Sequence, residues 1–141
     1  EGLEMACGLS IQGYTPNSEK LLRKKGGKVG DKIVLTKPIG TGALFALDMR
    51  AKAKGRYYWE AVLSMQQSNG PASRVASNSM HGVRSCTDVT GFGLFGHLLE
   101  MLLANDDDDD LEGIGANIRI EDVPFLQGGL EASKQGVYSS L

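Results

Sequence analysis

The run Ser85-Cys86-Thr87-Asp88-Val89-Thr90-Gly91-Phe92-Gly93-Leu94-Phe95-Gly96-His97 constrains the fold more than any other part of the chain. Its pattern predicts a strand over Val83 to Val89, a glycine turn, and a helix. Leu94, Phe95, Leu98, Leu99, Met101, Leu102 and Leu103 carry the helical spacing. Polar groups gather at the corner: the hydroxyls of Thr87 and Thr90 and the carboxylate of Asp88. The start of a helix offers unpaired N–H groups and the positive end of its dipole, which stabilise anions, and glycines such as Gly91 allow close approach. A carboxylate placed there repels a phosphate unless a divalent cation lies between them. The corner therefore reads as half of a metal–phosphate site, with Asp88 as metal ligand.

The same construction occurs earlier. Ile33-Val34-Leu35, within Asp31 to Lys37, predicts a strand buried on both faces. Pro38-Ile39-Gly40-Thr41-Gly42 follows as a turn, and then a helix from Ala43 to about Lys52. No Gly-Lys-Ser/Thr follows the glycines, so this is not a Walker loop. Taken alone, the turn is a simple chain reversal.

Two other readings of the central corner compete. Gly91, Gly93 and Gly96 spell G-x-G-x-x-G, and Glu121 or Asp122 follows the next strand candidate, as a dinucleotide site requires. Asp88 stands where the pyrophosphate would approach, however, and Phe92 is bulky for such a turn. The plainer reading is a turn whose Thr and Asp cap a helix.

Elsewhere, Met5 to Gly13 predicts a strand, and Ser18 a cap for a short helix containing Leu21 and Leu22. Arg23, Lys24, Lys25 and Lys28 among Gly26, Gly27 and Gly30 read as a solvated basic loop. Arg56 to Ser68 predicts an amphipathic helix whose face comprises Trp59, Val62, Leu63 and Gln66, flanked by Tyr58, Ala61 and Met65. Asn69-Gly70-Pro71 starts another helix with the stripe Ala72, Val75, Ala76 and Met80. His97 suits packing or a local hydrogen bond better than metal ligation. Asp106 to Asp110 is a solvated acidic loop. Ile114, Ala116, Ile118 and Ile120 share one face of a predicted strand, and a last helix is expected around Leu126 to Gln135.

At 141 residues, with 41% hydrophobic and 23% charged residues, residues 1–141 suit one globular domain. A net charge of −2 gives no footprint for nucleic acid, and no apolar run approaches membrane-spanning length. Two distant cysteines form no disulfide framework and no zinc pattern, which points to a reducing, cytoplasmic setting. Glu1 in place of Met suggests a segment of a longer protein.

Cys86 to His97 closely resembles the C-T-D-V-T-G-F-G-L-L-G-H signature of selenophosphate synthetases (selenide, water dikinases). Leu35-Thr36-Lys37-Pro38-Ile39-Gly40-Thr41-Gly42 resembles the same family's L-T-K-P-L-G-T-G. The resemblance spans most of the chain and only the family's C-terminal domain. It implies an α+β fold like the C-terminal half of aminoimidazole ribonucleotide synthetases, a mixed β-sheet flanked by helices. It also implies a reaction of ATP, selenide and water giving selenophosphate, AMP and phosphate, with magnesium and a stimulating potassium ion. Asp88 matches a metal-binding aspartate of the family. Thr87, Thr90 and Gly91, and with them Gly40, Thr41 and Gly42, fall in the vicinity of the nucleotide phosphates. The catalytic Cys or selenocysteine, its lysine and the other metal aspartates belong to an N-terminal domain, so no catalytic residue is expected here and the isolated chain is expected to be inactive. The family is typically homodimeric. The alternatives are a purine-pathway synthetase of the same superfamily and a non-catalytic dimerisation or regulatory module.

Overall fold

The computed structural model describes residues 8–15, 18, 21–104 and 114–138. Its helices are α1 (Thr41–Met49), α2 (Gly55–Gln66), α3 (Gly70–Ala76), α4 (Gly93–Leu103) and α5 (Gly129–Lys134), with single 3₁₀ turns at Ser79–His81 and Ile120–Asp122. None of these helices is long and apolar enough to cross a membrane among the described residues.

The core is built on α1, which packs against α2 and α5. Leu44 is fully buried with Tyr57 and Ala61, and Phe45 and Leu126 pack against them. On its other side α1 buries Ala46 and Leu47 against Ala132 and Val137. Glycine permits these close crossings. Gly40, at φ 118°, caps the start of α1, and a Cβ there would stand 3.4 Å from the Cα of Gly129. Isolated parallel pairing of Ile39 with Phe125 holds the two segments together, through Ile39 N–H to Pro124 O at 3.0 Å and Leu126 N–H to Ile39 O at 2.9 Å.

Both α1 and α5 end in the same hydrogen-bonded turn. Lys52 N–H donates to Leu47 O and Ala51 N–H to Asp48 O, while Val137 N–H donates to Ala132 O and Gly136 N–H to Ser133 O. This pairing satisfies the last helical carbonyls and needs a left-handed residue just past the helix end. Gly136 fills that position at φ 73°, whereas Ala51 does so at φ 54°.

The helices lie close to their predicted places, but the sheet does not form among the described residues. The only β-pairing there is two isolated parallel bridges, Arg23 with Ser85 and Ile39 with Phe125. Residues 31–37 have no regular structure, and Val34 is 80% exposed where burial on both faces is expected. Residues 8–13 are likewise unpaired, with Leu9 90% exposed; positions 5–7 lie outside the described residues. Leu21 and Leu22 belong to no helix. A strand needs a neighbour to take up its N–H and C=O groups, and these segments have none within the described chain.

Helix faces also depart from the periodicity. In α2 the buried positions are Tyr57 and Ala61, and Trp59 is 59% exposed. Val75 and Met80 of the predicted α3 stripe are exposed too. Lys37 caps α2 from outside, donating from Nζ to Ser64 O at 3.0 Å and Gln67 O at 3.1 Å. In place of a strand over Ile114 to Ile120, Ala116 and Ile118 close one side of an open apolar groove of about 430 Å³ against Phe95, Leu98, Leu99 and Leu102. The acidic run Asp106 to Asp110 lies outside the described residues.

Candidate functional site

The segment carrying Cys86, Thr87, Asp88 and Thr90 is irregular and extended, and it is fixed from one side by the basic loop. Cys86 N–H donates to Arg23 O at 2.8 Å, within the Arg23–Ser85 bridge. Arg84 forms an ion pair with Asp31 Oδ1, while Asp31 Oδ2 accepts the Lys28 N–H at 2.9 Å. These partners hold the Asp31 carboxyl below the usual carboxylate range, the Lys28 N–H contributing most and Arg84 next among the favourable contacts. Gly26 adopts φ 120°, and a Cβ there would meet the Arg84 carbonyl oxygen at 2.9 Å. The loop's basic residues are exposed, as a solvated loop requires, and the loop also brackets the Asp88 segment. Its glycine density was the one available signal, because only glycine permits that approach.

The other side of the segment is fixed by α4. Phe92 is the N-cap of this helix and supplies no side-chain cap. Neither Asp88 nor Thr90 caps it, so the plainer sequence reading does not hold. Thr90 Oγ1 instead lies 3.1 Å from His97 Nε2, and His97 Nδ1 lies 3.2 Å from Glu100 Oε2. Lys24 Nζ donates to the same Glu100 oxygen at 2.5 Å. The Lys24 ammonium, and after it the His97 ring, holds the Glu100 carboxyl below its ordinary range. His97 is only 5% exposed, with the Phe92 ring 5.6 Å from its own. Gly96 makes room for this arrangement, since a Cβ there would stand 2.7 Å from Phe92 Cβ. The local hydrogen bonding expected of His97 is present, but its partners were not legible in the sequence.

Asp88 is exposed, and its carboxylate has no hydrogen-bond or ion-pair partner among the described residues. Thr87 Oγ1 donates to the backbone carbonyl of Asp88 at 3.3 Å, so it steadies the main chain and not the carboxylate. Gly91 lies exposed in the turn, where Gly93 N–H donates to Thr90 O at 3.0 Å. Cys86, expected within a strand, is an exposed free thiol.

The second predicted block has separate support. Gly40, Thr41 and Gly42 begin α1, whose turn is held by residues 124–129, whereas the Asp88 segment is held by residues 23–31 and α4. Gly42 is exposed and Thr41 half-buried in the first turn of α1, whose leading N–H groups have no partner within the helix. No cluster of three or more His, Cys, Asp or Glu side chains occurs among the described residues. A hard cation such as magnesium needs about six oxygen ligands, many of them water or phosphate. The free carboxylate of Asp88 fits one place in such a set, with the remaining ligands coming from elsewhere.

Residues 28–134 match the family described as AIR synthase related protein, C-terminal domain. The selenide, water dikinase of Caldanaerobacter subterraneus subsp. tengcongensis is 31% identical over 137 residues, which cover 97% of this chain and 37% of that protein. The selenide, water dikinase of Pelobacter propionicus is 35% identical over 138 residues, 97% of this chain and 36% of the relative. That of Campylobacter jejuni strain RM1221 is 36% identical over 138 residues, 97% and 37% respectively. The chain spans little more than a third of the length of these relatives. No solved structure matches it significantly.

Proposed function

Because the chain belongs to the family of AIR synthase related proteins, C-terminal domain, we propose that it is the C-terminal domain of a selenide, water dikinase. In this reading residues 1–141 form one domain, and the whole protein makes selenophosphate from ATP, selenide and water, releasing AMP and phosphate. The supporting observation is the Asp88 carboxylate, bracketed by the basic loop and α4 yet exposed and without a partner among the described residues. A carboxylate held so is ready for a ligand from outside the chain.

Asp88 would hold magnesium, which when bound neutralises and cross-links polyphosphate oxygens. Thr87 keeps the main chain at Asp88 in place. Thr41 and Gly42, with the N–H groups at the start of α1, meet the nucleotide phosphates, and Gly40 serves chiefly to let α1 approach Gly129. The nucleophile and the other metal ligands lie in the protein's own N-terminal domain, the catalytic residues being absent from this chain. The assembled enzyme is a cytoplasmic homodimer that also takes up potassium.

The mixed β-sheet belongs to this proposal as well. The exposed apolar segments 8–13, 31–37 and 114–119 supply its strands once neighbouring strands are available. The experiment is a selenide-dependent assay of ATP conversion to AMP on the full-length protein beside the isolated chain. Selenide-dependent AMP from the full-length protein alone supports the reading. Selenide-independent ATP consumption moves it to another synthetase of the superfamily, and no consumption moves it to a non-catalytic module.

A further inference from the structure

The extended run leading to Asp88 shows its side chains alternately on two sides. Ser85 and Thr87 are half-buried, whereas Cys86 and Asp88 are exposed. A slip of one residue against whatever pins the run would exchange the two sides, turning Asp88 inward and Thr87 outward. The pins lie at residues 84–86, and all of them come from the loop of residues 23–31. Ser85 pairs with Arg23 in the parallel bridge, and Cys86 N–H donates to Arg23 O at 2.8 Å. The Arg84 guanidinium pairs with Asp31, whose other carboxylate oxygen accepts Lys28 N–H at 2.9 Å. The Arg84 carbonyl lies over Gly26, which adopts φ 120° and whose Cβ, if it had one, would stand 2.9 Å from that oxygen. Any other residue there must push the Arg84 backbone away. Beyond Asp88 the same loop takes hold again, through Lys24 Nζ and Glu100 of α4 at 2.5 Å.

We propose that Gly26, Asp31 and Arg84 are positioning residues for the cation site: they lock the register of residues 84–88 and so keep the Asp88 carboxylate turned outward, where a metal can reach it. This inference rests on the reading of Asp88 as a metal ligand and extends it to the loop, none of whose side chains needs to touch the cation. An exposed ion pair such as Arg84–Asp31 contributes little to stability by itself. Its use here is geometric, because in the neighbouring register Arg84 would point away from Asp31. Gly26 acts in the same sense through the main chain, as the one place where the loop and the Arg84 carbonyl can meet.

The charges give the test its sign. If Arg84 and Asp31 acted on a bound cation through their fields alone, Arg84→Gln would tighten binding and Asp31→Asn would weaken it. Positioning requires both to weaken it. In the full-length protein saturated with a non-hydrolysable ATP analogue, Mn²⁺ binding is titrated by calorimetry, with a melting curve of each variant beside it. Arg84→Gln and Asp31→Asn are each expected to weaken binding about threefold, within the range of an exposed ion pair. The double variant Asp31→Arg with Arg84→Asp restores the pair reversed and should return to within about twofold of wild type by the same reasoning. Gly26→Ala displaces the Arg84 carbonyl itself and should weaken binding about tenfold or more, as when the support of a metal ligand is removed. Unchanged or tighter binding in Arg84→Gln, with Asp88→Asn weakened, rejects the positioning role alone, even if the melting temperature falls. A double variant no better than either single change rejects it too. Unchanged affinity in Asp88→Asn rejects the metal reading itself, and the positioning role with it. If Gly26→Ala fails to fold, Arg84→Gln, which alters only an exposed side chain, decides the matter.

Discussion

Gly128 lies so close beneath the ring of Tyr57 that a Cβ built on it would stand 2.3 Å from Cδ2 and 2.8 Å from Cγ. Its φ of 82° is also a conformation that side chains resist. Tyr57 is a buried wall of the Leu44 cluster, so the ring has little room to retreat. Gly128→Ala should therefore combine a backbone penalty of about 1–2 kcal/mol with an overpacking cost of about 1–3 kcal/mol. Urea unfolding of the chain measures the sum. A loss below about 0.5 kcal/mol, the scale of an ordinary surface change, would show that Tyr57 is not held where the packing places it.

The paired ends of α1 and α5 give an internal comparison. Ala51 and Gly136 occupy the same left-handed position in the same hydrogen-bonded turn. Ala51→Gly should stabilise the chain by about 0.5–1 kcal/mol, and Gly136→Ala should destabilise it by a similar amount. Nothing lies within 4 Å of a Cβ at Gly136, so its loss is conformational and not steric. Equal signs for the two substitutions in thermal melts would mean that packing, not φ, governs these ends.

The helices were legible because their signals are local. Pro71 sits in the first turn of α3, as its fixed φ and missing N–H favour. Glycines mark the start of α1 and the end of α5. Strands were legible only as candidates, because a strand is completed by a partner that its own residues do not specify. Ile33 and Val34 have the composition of a buried strand and lie exposed here for want of a neighbour. Asp88 stood out as a candidate through its place at a glycine corner. The bracket Arg84–Asp31 and the link Glu100–Lys24 join residues 53 and 76 positions apart, so no pattern in the sequence links them, whereas His97 and Glu100 are an i,i+3 pair on one helix.

Acid should loosen this bracket. The Glu100 and Asp31 carboxyls are both held below their ordinary values of 4.5 and 3.8 by hydrogen-bond donors and cations. A carboxyl whose pKa falls on folding contributes stability that is complete above its ordinary value and is lost as the pH drops towards the lowered one. The melting temperature should thus decline on acidification below about pH 4.5, where Glu100 of the unfolded chain takes up protons while the folded carboxyl still resists them. Glu100→Gln removes its part of the effect, so the gap between wild type and variant should be widest above that pH and close below it. A gap that widens in acid would contradict the assignment, and added salt should narrow the gap at neutral pH because these groups are exposed to screening.

Asp88→Asn separates binding from folding more cleanly than any other change at the site. The side chain is exposed and has no partner among the described residues, so nothing in the fold depends on its charge. Stability of the chain should change by no more than about 0.5 kcal/mol, as for surface substitutions generally. Asparagine keeps one oxygen but loses the negative charge that a hard cation demands. In the full-length protein, magnesium-dependent turnover should fall by about 100-fold or more, since even groups that only support a metal ligand cost roughly 10–100-fold when removed. Raising the magnesium concentration should recover part of the loss, because what is weakened is occupancy of the site. Near-normal turnover at limiting magnesium would remove Asp88 from the metal site, and a matching drop in melting temperature would assign the carboxylate to the fold instead.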